Sequence, residues 1–454
     1  MLPLVLCMLL SGCAVQRYVA MPFDAGTSAK ALAARSLDAE DLRKYIQAGH
    51  QGSLPLEWPP RQWTLDLLTQ VAFHFNPDLE AARAKLAAAE AAVTTARQVP
   101  NPTLQVPLQY ALIPKDGESS WTLGLALDVP IETQGKRGFR VAVASHQATA
   151  ARLQLASIGW DVRSRLRQQL LVLWASTEKA RLLQQQVELD QSLVALLQRR
   201  LREGYISARE VNQQQLALIQ SSTDLLNARK EARGARIEVA GLLGLNSHAL
   251  DGIELDLGEF VQPDPPLPAA ELKTLVLQNR ADVRAALEGY EASQSALQLE
   301  VAKQYPDIHL GPGYTFDQGV RKPGFDFTGI ELPLFNRNEG PIAEASARRQ
   351  EAAAGVRQAQ TKAWTELDGA MTAYRIARDA LREADQQFLV QQEQLAATRR
   401  AFKLGEDDRV SLEANRKTEL SARLALFDAS LQVQQALGRI EDAIQRPLAS
   451  ESKK

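Results

Sequence analysis

The side chains that could do chemistry in this sequence are few and widely spaced. Its five histidines, His50, His74, His146, His248 and His309, show no H-x-x-x-H spacing and no cysteine partner, so no structural metal site is readable and no cofactor is expected. His309 falls on a strand face expected to meet water, where a single ligand would bind a metal weakly and solvation is the better role. No G-x-S-x-G, phosphate-binding loop, dinucleotide fingerprint or paired-ligand helix motif is present, and without such a constellation the chain reads as a non-enzyme. An acidic cluster stands at Glu406, Asp407 and Asp408. Repeated around a symmetry axis it would make a carboxylate ring that favours cations in a pore. Taken singly it is a solvated turn in which Asp408 caps the next helix.

Charge and composition narrow the partners. Lys plus Arg number 52 against 54 acidic residues, a formal net charge of -2, which gives no general field for nucleic acid. With 45% hydrophobic residues the chain can bury a core. The apolar run Leu2 to Leu10 is too short to span a bilayer and is followed at once by Leu10, Ser11, Gly12 and Cys13. That string resembles the bacterial lipoprotein signal, so residues 1–12 are expected to be a signal peptide and Cys13 the lipid-bearing first residue of the mature chain. An ordinary signal peptide with a chance cysteine is the alternative. Cys7 would leave with the signal, which leaves no pair for an intrachain disulfide.

The elements that must position these residues are set by where proline is missing. Residues 131 to 262 contain none, and neither does the stretch between Pro341 and Pro447; because an interior proline costs a helix about 3 kcal/mol, each run permits a long helix, a turn and a helix back. The spacing places the first long helix over Lys136 to Arg202, the turn at Gly204 and the return over about Ala208 to Leu243. A heptad seam, Leu183, Val187, Asp190, Val194, Leu197 and Leu201, recurs 201 residues later as Ala384, Phe388, Gln391, Leu395, Thr398 and Phe402, before a turn at Gly405. The chain therefore contains an internal duplication. Asp190 and Gln391, polar on both seams, set register or line a tunnel. Trp160 and Trp364 are expected to pack helices.

Ahead of each hairpin lies a shorter helical region and a ribbon of two strands. Leu104, Val106, Leu108, Tyr110 and Leu112 alternate with Gln105, Pro107, Gln109 and Ala111; after a turn near Lys115-Asp116-Gly117, Trp121, Leu123, Leu125, Leu127 and Val129 alternate with small or polar residues. Period two with one apolar face predicts strands of the length a tilted membrane strand needs. In the second copy Ile308, Leu310, Tyr314 and Phe316 form the apolar face, and the partner strand is expected over Phe325 to Phe335 with a bulge near Thr328 and Gly329. The fold class is mainly α with a small β part. Residues 13–62 form an arm, with a helix at Asp38 to Ala48, 63–245 the first repeat with its ribbon at 103–130, 246–270 a linker, 271–446 the second repeat with its ribbon at 307–335, and 447–454 a tail. Four strands cannot close a membrane barrel, which begins at about eight, and open edges cannot face lipid, so several chains must share one.

LDVPIETQGKRGF at 127–139 and ELPLFNRNEGPIAEA at 331–345, one after each ribbon, resemble the paired signatures of the TolC-type outer-membrane efflux channels. NPDLEAARAKLAAAEAA and VPNPTL, with Trp58 to Trp63 ahead, are similar to the branch serving heavy-metal resistance-nodulation-division pumps. The resemblance implies a homotrimer with a 12-stranded barrel continued by a helical tunnel, banded at its middle by the arm and linker. It implies a lipid-anchored protein of the cell outer membrane extending into the periplasm, Ala14 after Cys13 agreeing with that sorting. Leu104, Val106, Leu108, Tyr110, Trp121, Leu123, Leu125, Leu127, Ile308, Leu310, Tyr314 and Phe316 would face lipid. The turns Arg202, Glu203, Gly204, Tyr205 and Lys403, Leu404, Gly405 would be tips that meet a periplasmic adaptor, itself joined to an inner-membrane pump. The function implied is a passive duct for heavy-metal cations; a duct for drugs or secreted polypeptides shares the architecture. A periplasmic adaptor is the remaining alternative, but it would have one hairpin per chain and no ribbons.

Overall fold

The computed structural model describes residues 17–49, 57–114, 117–261, 269–317, 319–329 and 331–448. The expected signal segment, Cys13, His50, Lys115, Asp116, Ile330, Pro263 to Pro268 and the end of the tail lie outside them. The arm carries α1 (Ala25–Ala33), which sequence did not foresee, then α2 (Glu40–Gly49) and a two-residue strand β1 (Gln62–Trp63). The first repeat is α3 (Leu65–Phe75), α4 (Pro77–Arg97), β2 (Thr103–Gln105), β3 (Leu108–Tyr110), β4 (Trp121–Ile131), α5 (Lys136–Arg202) and α6 (Ala208–Leu242). After β5 (Glu254–Leu255) and a 3-10 turn, the second repeat is α7 (Ala269–Asn279), α8 (Ala281–Ala302), β6 (Ile308–Asp317), β7 (Val320–Gly329), α9 (Glu339–Leu404) and α10 (Arg409–Ile444).

At 1.5 Å per residue the 67-residue α5 is about 100 Å long. Arg199, Arg200 and Arg202 in its last turn complement the helix dipole. Shorter helices stack end to end to match it. Asn76 caps α4 by accepting from Asp78 N at 2.9 Å, and its Nδ2 donates to Leu242 O at the end of α6 at 2.9 Å. Arg280 stands in that place in the second repeat and donates to Ala443 O at the end of α10 at 3.2 Å. The lateral order is therefore α4, α5, α8, α9 in the half nearest the sheet and α6, α5, α10, α9 in the half nearest the turns.

The core sits where the two halves meet. Leu68 and Val71 of α3 pack on Val162, Leu166 and Leu170 of α5, with Leu42 and Ile46 of the arm closing over them. In the second repeat Leu272 and Val276 of α7 pack with Ala363 and Leu367 of α9 and Ile440 of α10. Each large aliphatic buried here contributes about 1.5–3 kcal/mol, which anchors the middle of helices whose ends are mostly polar. Trp160 packs as expected, its Nε1 donating to Asp442 Oδ1 at 3.3 Å. Trp364 does not; it is exposed in the single chain.

The ribbon strands form one antiparallel sheet in the order β2, β4, β6, β7, with β3 also pairing with β4, while β1 and β5 make a separate parallel pair. Two expectations are corrected. The strand expected to run unbroken from Leu104 to Leu112 is split, because Pro107 has no N–H to give and its ring fills the space over Gly124, where a Cβ would lie 2.7 Å from Pro107 Cγ. The partner strand expected over Phe325 to Phe335 instead begins at Val320 and ends at Gly329. Gly319, at φ +104°, allows a turn tight enough to pair Asp317 with Val320, and that pairing sets the strand's start. Leu332, Leu334 and Phe335, whose alternation suggested strand, follow it as exposed irregular chain. The bulge falls where expected: Leu310 pairs with Phe327 but His309 with Gly329, which leaves Thr328 unpaired.

Candidate channel surfaces

Pairing places the apolar strand residues on one face of the sheet. Leu104 faces Leu127, Leu108 faces Leu123, Tyr110 faces Trp121, Leu125 faces Tyr314, Leu123 faces Phe316 and Ile131 faces Ile308. Residues directly opposite in register share a face, so these form one continuous apolar surface. Leu104, Val106, Leu108, Tyr110, Trp121, Leu123, Leu125 and Tyr314 are exposed, while Leu127, Ile308, Leu310 and Phe316 are half-buried. Tyr110 and Trp121 close the end distal to the helices, edge to face with centroids 4.8 Å apart. The other face is small and polar: Thr122 donates to Asp317 Oδ1 at 2.9 Å, Lys322 bonds Asp317 at 2.8 Å, and His309 Nδ1 lies 3.1 Å from Asp128 Oδ1. His309 thus has a carboxylate partner while staying partly exposed. Both edges of the sheet, β2 with β3 and β7, are unpaired among the described residues.

The signature stretch after β4 explains how sheet joins stem. Lys136, buried at the start of α5, sends Nζ to Asp307 Oδ1 at 2.7 Å and to Tyr305 O at 2.6 Å. Thr133 N donates to the same Asp307 oxygen at 3.0 Å. Arg140 clamps Glu132 at 2.6 and 3.2 Å and donates to Ala96 O and Gln98 O, both at 3.1 Å, at the end of α4. Sequence pattern showed the stretch but not these roles, because the partners come from other segments.

The tips of the two hairpins have the same geometry. Gly204 and Gly405 both sit at φ +78°, left-handed backbone that glycine takes without strain. Tyr205 N donates to Arg200 O at 2.9 Å and Glu406 N to Ala401 O at 2.9 Å, which closes each helix end. Arg202, Glu203, Tyr205, Lys403, Leu404 and Glu406 are all exposed. Asp408 caps α10 by accepting from Ser411 N at 2.8 Å, and Arg200 Nη2 reaches it at 2.7 Å. These contacts hold the Asp408 carboxyl below its ordinary range, the Ser411 backbone hydrogen bond first and Arg200 second. Asp407 accepts from Ser411 Oγ at 2.9 Å, so Glu406 is the member of the acidic cluster that makes no side-chain bond among the described residues. Arg200, which ties the two tips together, was not singled out from sequence. Deeper on the seam Asp190 is fully buried, accepting from Gln214 Nε2 at 2.8 Å and Lys417 Nζ at 2.6 Å. That burial fits a register-setting residue; Gln391 is half-buried.

No helix among the described residues is long and apolar enough to cross a membrane, and no group of three or more ligating side chains is poised for a metal. The sheet thus has one exposed apolar face and two open edges, carried on a long polar helical stem. The chain belongs to the outer membrane efflux protein family, whose sequence profile matches residues 68–245 and 272–444. It is accordingly a transport protein of the outer membrane and not an enzyme. It is 25% identical over 283 residues, 62% of this chain and 66% of the relative, to the cobalt-zinc-cadmium resistance protein CzcC of Cupriavidus metallidurans. It is 24% identical to the pyoverdine export outer membrane protein OpmQ of Pseudomonas aeruginosa, over 95% of each chain. Among solved structures it shares the fold of the outer membrane protein VceC of Vibrio cholerae, with TM-score 0.67, 20% identity and coverage of 85% and 97%. CusC is similar at TM-score 0.69 and 17% identity, covering 87% of this chain and 95% of that one.

Proposed function

We propose that the chain assembles as a homotrimer into a passive conduit across the outer membrane and periplasm, the exit component of a tripartite efflux system. The observation that carries this reading is the unfinished edge of each layer. The sheet ends in unpaired β2, β3 and β7; below it, α6 and α9 end the row of helices with exposed Leu216, Ile219 and Leu226 on one and Ile376 and Val390 on the other. Copies arranged head to tail around an axis would complete both layers at once. Three copies of four strand positions supply 12 strands, enough to close a barrel, with the apolar face of the sheet toward outer-membrane lipid. Cys13 would anchor each copy as an acylated residue. The tips, Arg202 to Tyr205 and Lys403 to Gly405, would meet a periplasmic adaptor coupled to an inner-membrane resistance-nodulation-division pump, and Glu406, Asp407 and Asp408 would form the cation-selective ring.

Heavy-metal cations are the proposed cargo, supported by the similarity to CzcC. The nearly full-length match to OpmQ supports a second reading, an organic cargo, in the same duct. The test is the mass of detergent-extracted protein and its single-channel conductance in planar bilayers at asymmetric salt. A conducting trimer whose reversal potential favours cations supports duct and ring. Conductance without cation preference removes the ring, and a monomer that never inserts removes the duct. Cobalt, zinc and cadmium tolerance of a strain lacking the chain decides between the cargoes: unchanged tolerance removes the metal reading.

A further inference from the structure

Two large apolar residues stand exposed at mid-height on the outermost helices. Trp364 on α9 is 48% exposed and Ile237 on α6 is 54% exposed. Neither sits on a loose segment. Trp364 adjoins Ala363, fully buried in the core of the second repeat, and Ile237 lies two positions before Val239, fully buried in the core of the first. Side chains held out from rigid helices in this way can meet a partner with little further ordering.

The internal repeat says what that partner is. Within the chain α5 lies beside α10. Arg163 and Arg167 of α5 reach Glu441 of α10 at 3.5 and 3.2 Å, and Gly438 leaves room for Arg167, since a Cβ there would lie 2.5 Å from its Nη1. A shift of 201 positions turns Arg163 and Arg167 into Trp364 and Asp368 on α9, and Gly438 and Glu441 into Ile237 and Ala240 on α6. The four positions change as a set. Both arginines disappear together with the glutamate they face, which leaves no charge stranded. The long Arg167 becomes the short Asp368 where Gly438 becomes the bulky Ile237, so volume lost on one side is gained on the other, as close packing requires of positions that meet. In one chain they do not meet, because α6 and α9 stand at opposite ends of the row with α5 and α10 between them. The occupant that the repeat specifies for each is a second copy of this chain.

We infer that Trp364 of one copy packs over Ile237 of the next and is the residue on which the joint between copies turns at mid-height. This rests on the trimer reading above. A tryptophan covered at the centre of an interface carries far more of the binding than the contacts around it. The experiment uses full-length protein carrying Trp364→Arg, Ile237→Glu, or both, with mass read in mild detergent and the temperature of trimer dissociation read by gel in dodecyl sulfate. Both residues are exposed in the single chain, so the variants keep the chain's own helices, which circular dichroism checks. Each single change sets a charge against an apolar neighbour and is expected to lower the dissociation temperature or remove the trimer. The double change faces Arg with Glu, as Arg163 faces Glu441 within the chain, and is expected to regain the trimer. Single variants that dissociate as wild type does, or a double variant no more stable than the weaker single one, would overturn the inference. A wild-type protein that is monomeric in mild detergent would instead overturn the trimer reading, so the two failures are told apart by the wild-type mass.

Discussion

Arg280→Met is the most informative single substitution, because the two repeats solve the same junction with charges in different places. Arg280 is 3% exposed and bonds Asp282 at 2.9 and 2.6 Å, Glu366 at 2.6 Å and Ala443 O at 3.2 Å. In the first repeat Asn76 holds its place, and the counterpart of Glu366 is Arg165, which pairs with Asp78 at 2.9 Å where both are about half exposed. Breaking a buried pair costs about 3–5 kcal/mol when the remaining charge stays dry. Here the abandoned carboxylates are 29% and 41% exposed and regain some water, so the low end, about 3 kcal/mol, is expected. Arg165→Met should cost about 0–1 kcal/mol, as exposed pairs do. Guanidinium unfolding in detergent, followed by the helical circular dichroism, measures both. Equal losses, or a larger loss for Arg165→Met, would refute the reasoning.

The same site carries a pH dependence. Burial pushes the Asp282 carboxyl up, but the Arg280 hydrogen bond and charge outweigh it, and the group is held below the ordinary 3.8. A depressed carboxylate stabilises fully above its unfolded pKa and loses that contribution as pH falls through the folded one. The wild-type contribution should therefore be complete at neutral pH and be lost only below 3.8, while burial without Arg280 leaves the variant's Asp282 easier to protonate, so the gap to Arg280→Met shrinks on acidification.

Leu125→Arg and Leu108→Arg each place a charge on the exposed apolar face, at about 2–4 kcal/mol per copy near a bilayer midplane, and should remove heat-resistant oligomer from outer-membrane extracts; normal assembly of both would show that this face does not meet lipid. Gly311→Ala would set a Cβ 1.7 Å from Leu127 O, so β4 and β6 should separate and the ribbon become protease-sensitive. Gly355→Ala, with nothing within 4 Å inside α9, should instead gain up to about 1 kcal/mol in the same unfolding assay. Gly204→Ala and Gly405→Ala should lose about 1–2 kcal/mol each and equally, since both positions share φ +78° and open surroundings.

Periodicity, which links residues a few positions apart, needs no knowledge of distant partners. It therefore determined the heptad seams and the apolar strand faces from sequence alone, while the two proline-free runs, each broken at a glycine, determined the long helices and their turns, and the 201-residue recurrence the duplication. Within the ribbons proline and local turn geometry were weaker guides: Pro107 sat visibly in the first strand, yet its break depended on the Gly124 backbone across the ribbon, and β7 took its start from the turn at Gly319 and not from the later alternation of Leu332 and Leu334. Only the tertiary structure decided which charges meet. Glu366 stands 86 residues from Arg280, Asp307 171 from Lys136 and Lys417 227 from Asp190. No local pattern can choose such partners among 106 charged side chains, 52 basic and 54 acidic. The helices had first to be laid in order, by burying apolar surface at mid-height, before proximity could select them.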